Sequence, residues 1–181
     1  MNVIPGGLEG LLVIEPKVFR DDRGFFLEPY NSARYKSAGI GVDFVQDNHS
    51  FSTRGVLRGL HFQTSPGQAK LLRCGRGRIW DVAVDIRPAS PTFGKWWGLE
   101  LDSESHRQLF IPVGFAHGFC VLSEEAEVLY KCSAVYDPVT ESGVAWDDPE
   151  IGVQWPTTEP IVSVRDQGNQ SFAQYRARIG A

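Results

Sequence analysis

Apolar residues come in short runs along the whole chain, set apart by glycine and proline, and this is the pattern of a many-stranded β protein. The clearest alternation runs from Arg78 to Arg87: Trp80, Val82, Val84 and Ile86 share one face, and Asp81, Ala83 and Asp85 share the other. Further strands are predicted at Leu11–Ile14, Phe25–Glu28, Val56–Phe62, Trp96–Leu101, Gln108–Ile111, Gly118–Leu122 and Ala126–Val135. The run Leu71-Leu72-Arg73-Cys74 meets Gly75-Arg76-Gly77 and predicts a hairpin into the Arg78 strand. Two short segments have helical signals. Asn31 is placed to cap Ser32–Ala38, closed by Gly39, and Phe172–Ile179 precedes Gly180. Strands at this close spacing predict one mainly β domain over residues 1–181, a barrel or a jelly roll.

With 181 residues and 42% hydrophobic side chains, the chain can bury a sizeable core. The net charge of −4 argues against a protein that coats a nucleic acid polymer. No apolar run approaches the roughly 20 residues needed to cross a bilayer, and Met1-Asn2-Val3-Ile4-Pro5 lacks the basic-then-apolar order of a secretory leader. Cys74, Cys120 and Cys132 are odd in number and without C-x-x-C spacing, which points to reduced thiols in a cytoplasmic protein rather than a disulfide framework or zinc knuckle. Charge is uneven. Between Asn48 and Trp80 there are six cations (Arg54, Arg58, Lys70, Arg73, Arg76, Arg78) and no carboxylate, so the rest of the chain carries −10. A local anion site within an acidic protein is one reading, and strand-edge surface charge is the other.

A metal-binding cupin jelly roll carries a glycine, then H-x-H, then a glutamate, and later P-x-G-x-x-H. The second half is present as Pro112-Val113-Gly114-Phe115-Ala116-His117. The first half reads Gly59-Leu60-His61-Phe62-Gln63, with Gln63 in place of the second histidine and no glutamate after it. Two of four ligands are missing, and two neutral imidazoles do not make a catalytic metal site, which ordinarily keeps about three protein ligands. The expectation is a cupin-type scaffold without metal, its histidines turned to acid–base or anion work.

Several segments together resemble the dTDP-4-dehydrorhamnose 3,5-epimerase family. They are Glu15-Pro16-Lys17-Val18-Phe19, Asp22-Arg23-Gly24-Phe25-Phe26, Phe44 to Ser50, Val56 to Gln63, Trp80 to Arg87, Ser90 to Gly94, Ile111 to Phe119, Leu129-Tyr130-Lys131, Tyr136, Trp146 and Gly152 to Pro156, covering about residues 11–166. The resemblance implies a cupin-type double-stranded jelly roll with a few short helices, a homodimer, and no cofactor or metal. It implies inversion of dTDP-4-keto-6-deoxy-D-glucose at C3 and C5 to dTDP-4-keto-L-rhamnose. A sister enzyme acting at C3 only or C5 only is the alternative. A metal-dependent cupin oxygenase is opposed by Gln63, and a catalytically dead binding module by the retained reactive residues.

A carbon-bound proton beside a ketone is acidic because its carbanion becomes an enolate, so the reaction needs a base, an enolate stabiliser and an acid on the opposite face. His61 is the candidate base, since histidine ordinarily titrates at about 6.5. The resemblance supplies Asp166 as its orienting partner, Tyr130 as the acid and Lys70 beside the enolate oxygen. Arg58 and His117 match positions near the diphosphate, and Arg23 matches one in a segment that reaches the neighbouring subunit's site. Gln46 and Asn48 offer amides to nucleotide or sugar, Tyr136 a ring to the thymine base, and Phe26 and Glu28 line the pocket.

Overall fold

Fourteen strands and three short helices account for the regular structure in the computed structural model, which describes residues 1–181. In chain order these are β1 (Asn2–Pro5), β2 (Leu12–Glu15), β3 (Val18–Asp21), β4 (Gly24–Leu27), α1 (Ser32–Ser37), β5 (Gln46–Thr53), β6 (Val56–Gln63) and β7 (Lys70–Arg76). They continue as β8 (Arg78–Asp85), β9 (Trp96–Asp102), β10 (Gln108–Ile111), β11 (Phe115–Val121), β12 (Glu125–Cys132), β13 (Glu141–Gly143), β14 (Ile161–Val162), α2 (Val164–Gln167) and α3 (Phe172–Ile179). One sheet has the order β1-β2-β10-β7-β12-β5 and the other β13-β6-β11-β8-β9, with β14 parallel beside β6. From β5 to β8 and again from β9 to β12, successive strands mostly land in opposite sheets, which makes a jelly roll rather than an up-and-down barrel. The β3–β4 hairpin stands apart from both sheets.

The two sheets close on an apolar end built from Leu72, Cys74, Leu109 and Val128 of one sheet and Ile79, Ala83, Leu101 and Phe119 of the other. Each large side chain fully buried there stabilises the fold by roughly 1.5–3 kcal/mol before entropy is counted. The bulky face of β8 turns the other way. Val82, Val84 and Ile86 pack outside the sandwich against Val144, Ile151, Phe172 and Tyr175. Thus both faces of β8 are buried, and the face carrying Asp81 and Ala83 looks into the interior. α3 supplies the outer cover. Its N-terminus has a reciprocal Ser171–Gln174 capping box, and it ends at Gly180 in the left-handed region. α1, capped by Asn31, covers the outside of the other sheet with Tyr35, over Ile14, Leu71 and Phe110.

The hairpin expected at Gly75-Arg76-Gly77 does not form. β7 and β8 belong to different sheets, and the turn between them is the step across the sandwich. Gly77 has φ of +77°, and a Cβ there would lie 2.0 Å from the Glu125 carbonyl oxygen, so this crossing takes glycine alone. The strand expected at Gly118–Leu122 begins earlier, at Phe115, and the one expected to reach Val135 ends at Cys132. β5 was invisible to an apolar pattern because its inward positions are Gln46, Asn48, Ser50 and Ser52.

Candidate active site

At the end of the sandwich away from the apolar core, the interior faces of the two sheets bound a cavity of about 530 Å³. Its walls come from β5 (Gln46, Asn48), β6 (Arg58, His61), β7 (Lys70), β11 (His117) and β12 (Tyr130). A smaller recess of about 70 Å³ continues past Lys70 to Gln63 and Gln68.

Arg58 and His61 are three apart on β6, and in a regular strand they would point to opposite faces. The register with β11 shifts between them. His117 lies opposite His61 and Phe119 lies opposite Arg58, so one extra residue of β6 is absorbed as a bulge. The bulge turns both side chains into the cavity. It sits at Gly59, whose φ is +140° and whose Cβ would lie 2.5 Å from the Gly118 Cα.

His61 Nε2 lies 2.6 Å from Asp166 Oδ1, and Asp166 is 4% exposed. Asp166 sits on α2, where its amide donates to the Ser163 hydroxyl (3.1 Å), and its second carboxylate oxygen accepts from the Gly59 amide (3.3 Å). Burial pushes its carboxyl up, but the hydrogen bond and charge of His61, the Gly59 amide and Arg165 outweigh that and hold it below its ordinary value. Asp166 is thus a buried carboxylate held between the His61 ring and the Gly59 amide.

Lys70 is buried, and its Nζ reaches only the His61 carbonyl oxygen at 3.5 Å. Burial lowers its pKa, opposed by Cys132, Asp81 and Glu141. Tyr130 faces His61 from the other sheet. Burial raises its pKa, while the Asn48 amide and the Arg58 charge favour the phenolate. His117 is 7% exposed and its Nε2 lies 2.8 Å from the fully buried Asp81 Oδ2. Burial lowers the His117 pKa against the pull of Asp81. Each imidazole is thus tied to its own carboxylate, and no three His, Cys, Asp or Glu side chains converge as a metal cage. Gln63, where the motif would have a metal ligand, spends its amide on Val135, Asp137 and Gln68.

Of the residues singled out from sequence, His61, Asp166, Tyr130, Lys70, Gln46, Asn48, Arg58, His117 and Tyr136 line this one cavity. Arg23, Phe26 and Glu28 do not. Arg23 pairs with Asp21 at the tip of the β3–β4 hairpin, Phe26 is 68% exposed, and Glu28 pairs with Arg34 of α1. The sequence reading missed Glu141 and Arg165, an ion pair at 2.7 Å on the cavity wall, and the buried Asp81. Arg165 adjoins Asp166 and was within reach of that motif. Glu141 lies on a three-residue strand with no local signal. The cationic window also divides: Arg54, Arg76 and Arg78 are spent on surface pairs with Glu124, Glu125 and Glu100, Arg73 lies in a separate hollow beside Tyr30 and Gln108, and Arg58 and Lys70 are left for the cavity.

Fold and site together define a cupin-type jelly roll with a partly buried histidine–carboxylate pair that faces a lysine and a tyrosine across the sandwich. Residues 6–174 match the profile of the dTDP-4-dehydrorhamnose 3,5-epimerases. A dTDP-4-dehydrorhamnose 3,5-epimerase of Shigella flexneri is 54% identical over 95% of this chain and 96% of its own. A dTDP-4-dehydrorhamnose 3-epimerase of Streptomyces niveus is 45% identical over 97% of this chain and 86% of its own. The crystal structure of a dTDP-6-deoxy-D-glucose-3,5-epimerase from Legionella pneumophila, in complex with dTDP-4-keto-L-rhamnose, superposes with a TM-score of 0.94 at 44% identity, covering 98% of this chain and 96% of that one. The chain belongs to the dTDP-4-dehydrorhamnose 3,5-epimerase family.

Proposed function

We propose that this enzyme inverts dTDP-4-keto-6-deoxy-D-glucose at C3 and C5, giving dTDP-4-keto-L-rhamnose, and that His61, Asp166, Tyr130 and Lys70 perform the chemistry. The observation that carries the assignment of roles is the placement of His61 on one sheet and Tyr130 on the other, with the cavity between them. A sugar ring held there presents one face to each. His61 takes the proton from the carbon next to the ketone, and the C–H electron pair moves into the C4 carbonyl to form an enolate. The Lys70 ammonium stabilises the oxyanion. Tyr130 returns a proton to the opposite face and is itself reprotonated from solvent. Asp166 fixes the ring orientation of His61 and stabilises the imidazolium. Arg58 and His117 suit the diphosphate, Arg58 being braced by the Ser52 hydroxyl at 3.0 Å. Tyr136, half-exposed at the cavity edge, suits the thymine base, and Gln46 and Asn48 suit the nucleotide or sugar.

The molecule acts as a homodimer in this reading. Phe19, Phe25 and Phe26 are exposed on a hairpin that has no place in its own cavity, which supports insertion of Arg23, Phe26 and Glu28 at the partner's site. No helix is long and apolar enough to cross a membrane, and three free buried thiols suit the cytoplasm. The ligand is one sugar nucleotide, not a polymer.

Incubation with dTDP-4-keto-6-deoxy-D-glucose in D2O, followed by NMR, tests the reaction. Deuterium at both C3 and C5 with an L-configured product is expected. Label at one carbon would assign a 3-only or 5-only epimerase, and no exchange by folded protein would falsify the epimerase reading.

A further inference from the structure

Tyr136 lies on the loop between β12 and β13, which is tied at its ends to Ala69 through Ser133 and to Thr64 through Thr140. Val135 and Val139 are 66% and 89% exposed, and Tyr136 is 49% exposed, so apolar burial contributes almost nothing. Yet four consecutive main-chain positions are satisfied, each by a glutamine side chain. Gln68 Nε2 donates to the Ala134 carbonyl (2.9 Å), and Gln63 Nε2 donates to the Val135 carbonyl (3.4 Å). Gln46 Oε1 accepts from the Tyr136 amide (2.8 Å), and Gln63 Oε1 accepts from the Asp137 amide (3.2 Å). Gln68 also donates to Gln63 Oε1 (3.2 Å), which joins two of the three amides directly.

We propose that Gln46, Gln63 and Gln68 form a clamp that sets Tyr136 at the mouth of the cavity, with Gln63 as its central positioning residue. The clamp governs nucleotide affinity rather than the proton-transfer steps, and this consequence rests on the reading of Tyr136 as a nucleotide contact. Gln63 is 8% exposed and uses both ends of its amide on the loop, so no charged or purely apolar side chain can replace it. Its place in the chain is that of the second histidine in the metal-binding cupin motif. The same position that fails to supply a metal ligand supplies the loop anchor.

Gln63→Leu removes both bonds at near-constant volume. In the ligand-free protein, hydrogen exchange at the Tyr136 and Asp137 amides is expected to speed up about tenfold or more, as for loss of one to two net hydrogen bonds. Calorimetry with dTDP is expected to show affinity about tenfold weaker, while kcat at saturating substrate stays within about threefold. In a Tyr136→Ala background, Gln63→Leu should add less than about twofold to the loss, because both act through one ring. Unchanged amide protection, a fall in kcat with dTDP affinity intact, or full additivity with Tyr136→Ala would each overturn the clamp. If Gln63→Leu does not fold, Gln68→Leu loosens the same loop at the Ala134 carbonyl, with the same expected directions and the same overturning results. The exchange measurement needs no ligand, so it decides the clamp even if the wild-type protein fails to bind dTDP, a failure that would count against the functional reading instead.

Discussion

A histidine makes a poor directional base when its ring can turn or change tautomer. His61 is prevented from doing so by a carboxylate that is itself held by the Ser163 cap and the Gly59 amide. Asp166→Asn keeps the shape and removes the charge that, in the proposed mechanism, stabilises the imidazolium. Deuterium exchange is expected to fall by about 10²-fold or more, with dTDP affinity nearly unchanged. Near-wild-type exchange in this variant would mean that Asp166 is not the orienting group. Tyr130→Phe separates the other half of the reaction. His61 should still release the substrate proton to solvent, so washout persists while formation of the L-sugar collapses. If washout and product fall together, Tyr130 does more than deliver the second proton.

At the scale of elements, the turn after β8 is knotted by one side chain. Asp85 is fully buried, and its carboxylate accepts from the Arg87 amide (3.0 Å), from Arg87 Nε and Nη2 (2.9 and 2.7 Å), and from the Ser90 and Thr92 hydroxyls. Burial pushes its pKa up, but these bonds outweigh it and bring it to about 2, from 3.8. A carboxyl depressed by folding adds stability that is complete above its unfolded pKa and is lost as pH falls through the folded one. Asp85→Asn should therefore cost about 2 kcal/mol at pH 7, and the gap to wild type should close between about pH 4 and pH 2. Urea unfolding at both ends of that window checks it, and a gap independent of pH would refute the assignment. This network also explains why Ser90 and Thr92 flank the proline of their motif. They are ligands of a buried charge, which an apolar-pattern reading of β8 does not reveal.

At the scale of the whole molecule, the β3–β4 hairpin is the part that stands outside both sheets. It exposes three phenylalanines and an arginine whose side chain is 90% exposed. If it completes the partner's site, two defective chains should rescue one another. His61→Ala keeps a working hairpin, and Arg23→Ala keeps a working base. Equal mixing under conditions of subunit exchange should restore roughly a quarter of wild-type activity, since half the dimers are mixed and each has one intact site. No recovery in a mixture shown by light scattering to be dimeric would place Arg23 outside the shared site.

The family segments, the β-rich class, the two capped helices and the incomplete metal motif were all legible along the chain, because each is a local pattern. Period-two alternation, a cap residue and a short spacing need no distant partner. What the sequence could not show depended on which strands lie across from one another. β5 was hidden because its inward face is polar, and it is polar because the fold places a cavity there. The bulge that brings Arg58 and His61 to one side is defined only against β11. The cationic window read equally as an anion site or as surface charge, and tertiary pairing makes it both, with half of its six cations on surface glutamates. Residue identity determined the chemistry available to this protein. Only the pairing of sheets decided which groups meet across the cavity, since a contact between residues 61 and 166 is a property of the folded chain and not of either segment.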